Sequence, residues 1–343
     1  MRRVRTEMEL MGDRLYLGID LGTFQSTIVA SNDQSETVET VVGKPKDPIA
    51  RNMLQRDTVF GADALKHKLA CNLYRPLAAG VAQDDENNLA AAKAFVTHLV
   101  ETVDPEEYDE VFGVICSPSH ISFTDKSNLV SILRGQVNAI MVVSEPFAVA
   151  FGLDEIGGSI VVDIGAGTTD VARLYGTFPN ESDQMTISEA GDWVDAQLQE
   201  LIEKKYTGAQ LTKDMVRQWK EAGSYIGEDR EMMVELSVEG KKQVVDIGDL
   251  VGMACTGLVP HIVNSVKTIV AGADPEYQAI MRNNIILSGG GSLTEGLADA
   301  VAAGLSDIGD VSVWCAEEPV TKVAEGALSL AEAMPDDQFT AIN

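Results

Sequence analysis

Residues 159–175 read SIVVDIGAGTTDVARLY, and residues 15–30 read LYLGIDLGTFQSTIVA. Each stretch is an apolar β-branched run, a short turn rich in Gly and Thr, and a second β-branched run, which is the pattern of a β-hairpin. Both place Asp, then Leu or Ile, then Gly ahead of a threonine. The two aspartates, Asp20 and Asp163, lie 143 residues apart, close to one domain length. A repeat at that period predicts two related domains, each carrying one hairpin. A single copy would read as an ordinary hairpin with an Asp-Gly turn. Two copies with matched Asp, Gly and Thr positions point instead to a shared ligand.

The turn composition suits a phosphate. Gly22, Gly165 and Gly167 let the backbone approach a ligand closely enough for its N–H groups to converge on an anion. Thr23, Thr168 and Thr169 add hydroxyl donors. Asp20 and Asp163 would by themselves repel phosphate: two unit charges about 5 Å apart cost roughly 3 kcal/mol at an effective dielectric near 20. A Mg²⁺ whose waters are held by these carboxylates reverses that sign. The pattern therefore predicts a metal-bound polyphosphate.

A third glycine cluster, Gly289-Gly290-Gly291-Ser292, follows the apolar run 284–288 and precedes a stretch expected to be helical over about 294–305. Its spacing, GGGxxxxG, is not the GxGxxG of a dinucleotide fold, and no GxxxxGK[ST] occurs anywhere, which excludes the P-loop families. Between the hairpins, AIMVVSEPF (139–147) reads as a strand ending at Ser144 with Pro146 in the first turn of the next helix. Glu145 then has two readings, a carboxylate favoured by a helix N-terminus or one that orients an attacking water.

The 343 residues suit about two domains. With 26 basic and 53 acidic residues the net charge is −27, which argues against direct nucleic-acid binding. Cys71, Cys116, Cys255 and Cys315 form no CxxC pair and have no metal-ligand spacing to His, so neither a zinc site nor a disulfide framework is expected and a reducing cytoplasm fits. No uncharged apolar run is long enough for a membrane span, so any membrane contact is expected to be indirect. Residues 1–13 begin with three arginines in five positions, but Glu7 and Glu9 interrupt any signal-peptide core; they are read as a flexible leader.

Taken in order, GIDLGT (18–23), SEPF (144–147), VDIGAGTTD (162–170), SGGGS (288–292) and EGALSLAE (325–332) resemble phosphate-1, connect-1, phosphate-2, adenosine and connect-2 of the actin/Hsp70/sugar-kinase superfamily. The match spans about residues 15 to 332. It implies ATP or ADP with Mg²⁺ as ligands, Asp20 and Asp163 at the metal, and Glu145 positioning the hydrolytic water, with Asp163 joining it in catalysis. It also implies that Thr23, Phe24 and Gln25, with Gly165, Ala166, Gly167, Thr168 and Thr169, line the phosphates. Gly191 and Asp192 would follow as a nucleotide-contacting turn, Lys220 and Glu221 would touch ribose and adenine, and Gly289, Gly290, Gly291 and Ser292 would lie along the base and sugar. Phe24-Gln25 departs from the small or polar residues often found after the first Gly-Thr, although Phe24 still offers a backbone N–H.

The length resembles the bacterial-actin branch rather than the longer Hsp70 proteins or sugar kinases. VVGKPKDPIARNML (41–54), NLYRPLAAGV (72–81) and DPEYQAIMRNNIILSGGGS (274–292) are similar to the magnetosome-organising bacterial actins. The expectation is an α/β, actin-like fold of four subdomains with the nucleotide in an interdomain cleft. Residues 14–156 and 320–343 would form domain I, with 37–74 as its small subdomain; residues 157–319 would form domain II, with 196–245 as its small subdomain and helices at 194–205 and 212–226. The resemblance implies an ATPase whose head-to-tail homopolymer aligns and segregates magnetosomes, with magnetosome-associated proteins as further partners. A cell-shape filament and a soluble small-molecule kinase are the alternative readings.

Overall fold

The structure, a computed structural model, describes residues 13–342 apart from 79–80, 83–85 and 121, so the leader lies outside it but for Asp13. The described chain divides into two compact units. One runs to Asp154 and resumes at Val323, and the other is Glu155–Lys322.

The first unit is built on a six-stranded sheet in the order Thr340–Ala341, Ala139–Ser144, Glu110–Ser117, Arg14–Leu21, Gln25–Ala30, Ser35–Glu39. Arg14–Leu21 pairs antiparallel with Gln25–Ala30, which is the hairpin expected from the sequence. It runs parallel to Glu110–Ser117, and that strand runs parallel to Ala139–Ser144. Side chains alternate across a strand. Leu15, Leu17, Ile19 and Leu21 enter a core with Phe95, Leu99, Leu129 and Leu133 from the helices Glu86–Glu101 and Phe123–Leu133. Gly18 points the other way, where a Cβ would lie 2.1 Å from the Ala324 carbonyl oxygen. The helix Lys322–Ala333 therefore covers the opposite face at backbone contact. A smaller three-stranded sheet, Val59–Phe60, Val42–Pro45 and Cys71–Tyr74, has a separate small core around Val41, Val59, Ala64 and Cys71.

The second unit repeats the design. Its sheet has the order Gln184–Ile187, Thr169–Leu174, Ser159–Ile164, Ile285–Ser288, Val313–Cys315. Ser159–Ile164 and Thr169–Leu174 form the second hairpin, and every residue of both strands is buried. Burial along the whole of both strands, polar Asp163, Asp170 and Arg173 included, marks strands covered on both faces. Ile160, Val162 and Ile164 share a core with Leu198, Ile202, Ile262 and Val266. A three-stranded sheet, Ala209–Gln210, Met233–Val238 and Lys241–Asp246, completes the unit.

Three helices differ from the sequence expectation. The stretch 194–205 is helical from Gly191 to Lys205. The stretch 212–226 stops being helical after Gly223, and 294–305 is α-helical only over Leu297–Gly304, preceded by a 3-10 turn at Gly290–Leu293. The last two share one cause. Ile226 N–H donates to the Glu295 carbonyl at 2.7 Å and Glu295 N–H to the Ser224 carbonyl at 3.3 Å, so backbone pairing between distant segments replaces the last turn of one helix and the first of the other.

Candidate functional site

In parallel α/β sheets, ligands gather outside the carboxyl ends of the strands. In the first unit, Asp20 is level with Cys116, and Cys116 with Val143, so Asp20 and the Ser144-Glu145 step stand on the same carboxyl edge. Gly22, Thr23 and Phe24 form the turn, and Gln25 opens the return strand with its side chain exposed. The turn is braced from behind. Thr40 Oγ1 donates to the Gly22 carbonyl at 2.7 Å and lies 2.9 Å from Ser26 Oγ, while Thr40 N–H donates to the Phe24 carbonyl at 2.7 Å. The Phe24 ring carries the Arg75 guanidinium 5.8 Å from its centroid. Glu145 is buried at the first position of the helix Glu145–Gly152, with Pro146 in the first turn as the sequence suggested. Beside it, Ser144 Oγ is buried with no hydrogen-bond partner among the described residues.

In the second unit, Asp163 is level with Ser288, which places the turn 165–168 next to the glycine loop. Gly165 N–H closes the turn onto the Thr168 carbonyl at 2.9 Å. The carbonyls of Gly165 and Ala166 then accept the Gly191 and Asp192 N–H groups at 3.1 and 2.7 Å. The first turn of the helix Gly191–Lys205 thus holds the carbonyl side of the loop, and the loop's remaining N–H groups are the ones available to an anion. Gly289 adopts φ +74°, and a Cβ there would sit 2.5 Å from the Ile164 carbonyl oxygen, so only glycine fits this turn. Nothing lies within 4 Å of a Cβ built on Gly290, which leaves that face of the glycine loop open.

Two hydroxyls assigned to the ligand from sequence have internal bonds. Thr169 Oγ1 donates to the Glu189 carbonyl at 2.8 Å and Ser292 Oγ to the Gly289 carbonyl at 2.7 Å, so both shape their loops. Lys220 lies on the helix Lys213–Gly223, where Nζ meets Asp195 Oδ1 at 2.7 Å and donates to the Gly191 carbonyl at 2.9 Å. Glu221 is exposed on the same helix. Sequence reading missed Thr40, Asp195 and Arg217. The last two were legible only as paired spacings, D-x-x-D at 192–195 and R-x-x-K at 217–220, which put each pair on one helix face.

The donor chemistry fits a magnesium nucleotide. Asp20 and Asp163 offer hard carboxylate oxygens, the type Mg²⁺ takes. Burial pushes the Asp20 carboxyl up to about 7, a desolvation that a neighbouring cation would offset. The two turns and the glycine loop offer backbone N–H groups and close approach.

Residues 14–338 match the MreB/Mbl protein family. The chain is 37% identical over 325 residues to the actin-like protein MamK of Paramagnetospirillum magneticum, covering 94% of each. Against MamK of Magnetospirillum gryphiswaldense the identity is 36%, over 94% of this chain and 90% of that one. Among solved structures, the subunit of a MamK double helical filament superposes with a TM-score of 0.91 at 36% identity, covering 94% of this chain and 100% of the other. A non-polymerising MamK mutant bound to AMPPNP gives 0.73 at the same identity and coverage. The fold is therefore actin-like, and the chain belongs to the MreB/Mbl family of actin-like proteins.

Proposed function

We propose that this chain is an ATPase that polymerises head to tail, and that its filaments align and segregate magnetosomes in the cytoplasm. The observation that supports this most is the likeness to a filament subunit at 36% identity over 94% of the chain, whereas the cell-shape protein Mbl of Bacillus cereus matches at 29% over 74%. The solved MamK mutant bound to AMPPNP supports a nucleotide ligand of the ATP class.

In this reading Asp20 and Asp163 hold the Mg²⁺ shell, and the bound ion supplies neutralisation of phosphate charge. The backbone of 22–25 and 165–168 binds and orients the phosphates. The helix Lys213–Gly223 and the glycine loop 289–291 hold the sugar and base. Glu145, fixed in the first turn of its helix, accepts a hydrogen bond from the attacking water and orients it. No side-chain nucleophile is needed, because catalysis of this kind rests on positioning and charge stabilisation. The partners are further copies of the chain and magnetosome-associated proteins, and contact with membrane is indirect. Negative-stain electron microscopy and pelleting with Mg²⁺ and ATP, alongside a phosphate-release assay, test the proposal. Filaments that form with nucleotide and release phosphate are expected. Phosphate transfer to a small molecule without any polymer would overturn it in favour of a kinase.

A further inference from the structure

Resting on the nucleotide reading above, we propose that Asp195 is a positioning residue: it fixes the phosphate loop 165–168 relative to the helix Lys213–Gly223, so that a single nucleotide engages both. Asp192 and Asp195 share one face of the helix Gly191–Lys205, and Arg217 and Lys220 share the facing side of Lys213–Gly223. Arg217 Nε meets Asp195 Oδ2 at 3.0 Å, and Lys220 Nζ meets Asp195 Oδ1 at 2.7 Å. Arg217 also reaches Asp192. Asp195 is thus the carboxylate that touches both cations. Its side chain is 10% exposed against 47% for Asp192, so its pairs are the ones shielded from water and salt.

The lattice continues into the phosphate loop. Lys220 Nζ donates to the Gly191 carbonyl at 2.9 Å, and the N–H groups of Gly191 and Asp192 hold the carbonyls of Gly165 and Ala166. One connected path therefore runs from Asp195 through Lys220 and the first turn of its own helix to the loop that faces phosphate. The same carboxylate holds the helix assigned to ribose and adenine. Two subsites held at a fixed separation bind a linked ligand far better than either fragment, and that advantage falls when the separation is loose. Asp195 therefore acts on the linkage between subsites rather than on either one.

The test compares Asp195→Asn and Asp195→Ala with the parent protein. Displacement of a fluorescent ADP analogue, with Mg²⁺ present, gives the affinities of ADP, inorganic tripolyphosphate and adenosine. In Asp195→Ala, ADP should bind about tenfold or more weakly, while each fragment changes by less than about threefold. Asp195→Asn is nearly isosteric but keeps a single acceptor oxygen, so it retains one of the two cation contacts. It should fall between the parent and the alanine variant, and it carries the test if the alanine variant does not fold by circular dichroism. Equal loss for ADP and both fragments would mark a role in stability alone and overturn the inference. Unchanged ADP affinity would overturn it as well. A parent protein that fails to bind ADP would remove the nucleotide reading, and the inference with it; a parent that binds while the ratio stays fixed in the variants removes the inference alone.

Discussion

Glu145 stands at the junction where a buried parallel strand turns into a helix, and the residue after it is a proline. Proline in the first turn presets the backbone and gives up an N–H that the helix does not need, so the carboxylate's base is rigid. A carboxylate there is stabilised by the helix dipole whether or not it meets a water, so its presence alone does not tell a structural role from a catalytic one. Replacement separates the two roles. Glu145→Ala should retain ATP binding and lower phosphate release by at least about tenfold, near 1.4 kcal/mol of barrier. Its filaments should outlast those of the parent in a light-scattering time course. Unchanged phosphate release would remove Glu145 from the mechanism. At this scale the positions of Asp20 and Asp163 near strand ends, of Glu145 at a helix start and of the three glycine turns were legible in the sequence, because their patterns are local and their order distinctive. The bonds of Thr169 and Ser292 to distant or neighbouring carbonyls were not disclosed, since a hydroxyl's direction depends on the folded backbone.

Among the elements, the helices Glu145–Gly152 and Lys322–Ala333 cross at glycine. A Cβ on Gly326 would lie 1.9 Å from the Ala148 carbonyl oxygen, and one on Gly152 would lie 2.7 Å from the Gly326 Cα. Backbone atoms on the facing helix cannot move aside as a side-chain tip can. Gly326→Ala should therefore destabilise the protein by about 1–3 kcal/mol, read from urea unfolding, despite alanine's better helix propensity. A neutral or stabilising result would mean that the helices separate at little cost. A second contact between elements is sensitive to pH. His98, on the helix Glu86–Glu101, stacks on Phe60 with ring centroids 4.3 Å apart. Burial lowers its pKa below the ordinary 6.5, against the opposing pull of Glu101 and Glu36, and Arg56 lowers it further. The folded state thus favours the neutral ring. Its contribution is complete above the unfolded value and is lost as pH falls towards the folded one. His98→Phe should show a smaller drop in Tm between pH 7.5 and 5.5 than the parent, and an equal drop would place the acid sensitivity elsewhere. The hairpins were legible as β-branched runs around glycine turns, whereas the ends of the helices near 223 and 294 were not, because they are set by pairing with each other across about 70 residues.

On the scale of the whole molecule, the net charge of −27 acts on every addition of one subunit to another. Charge was legible from composition alone, but composition does not say where on the surface it falls. In the proposed head-to-tail filament, contacts repeat without closing, so each step would bring one acidic body against another. Their repulsion extends about one Debye length, roughly 30 Å at 0.01 M salt and about 10 Å at 0.1 M. Over that interval the screening distance shrinks from about the width of a small domain to about the width of a helix, and most of the long-range penalty goes with it. The critical concentration for ATP-dependent assembly should therefore fall between 0.01 and 0.1 M KCl at constant Mg²⁺. Complementary charges on the two contacting ends would act in the opposite direction, because salt would then screen an attraction. Pelleting across the salt series distinguishes the two cases. A critical concentration that rises with KCl would mean that the local pairing of the ends outweighs the net charge of the chain.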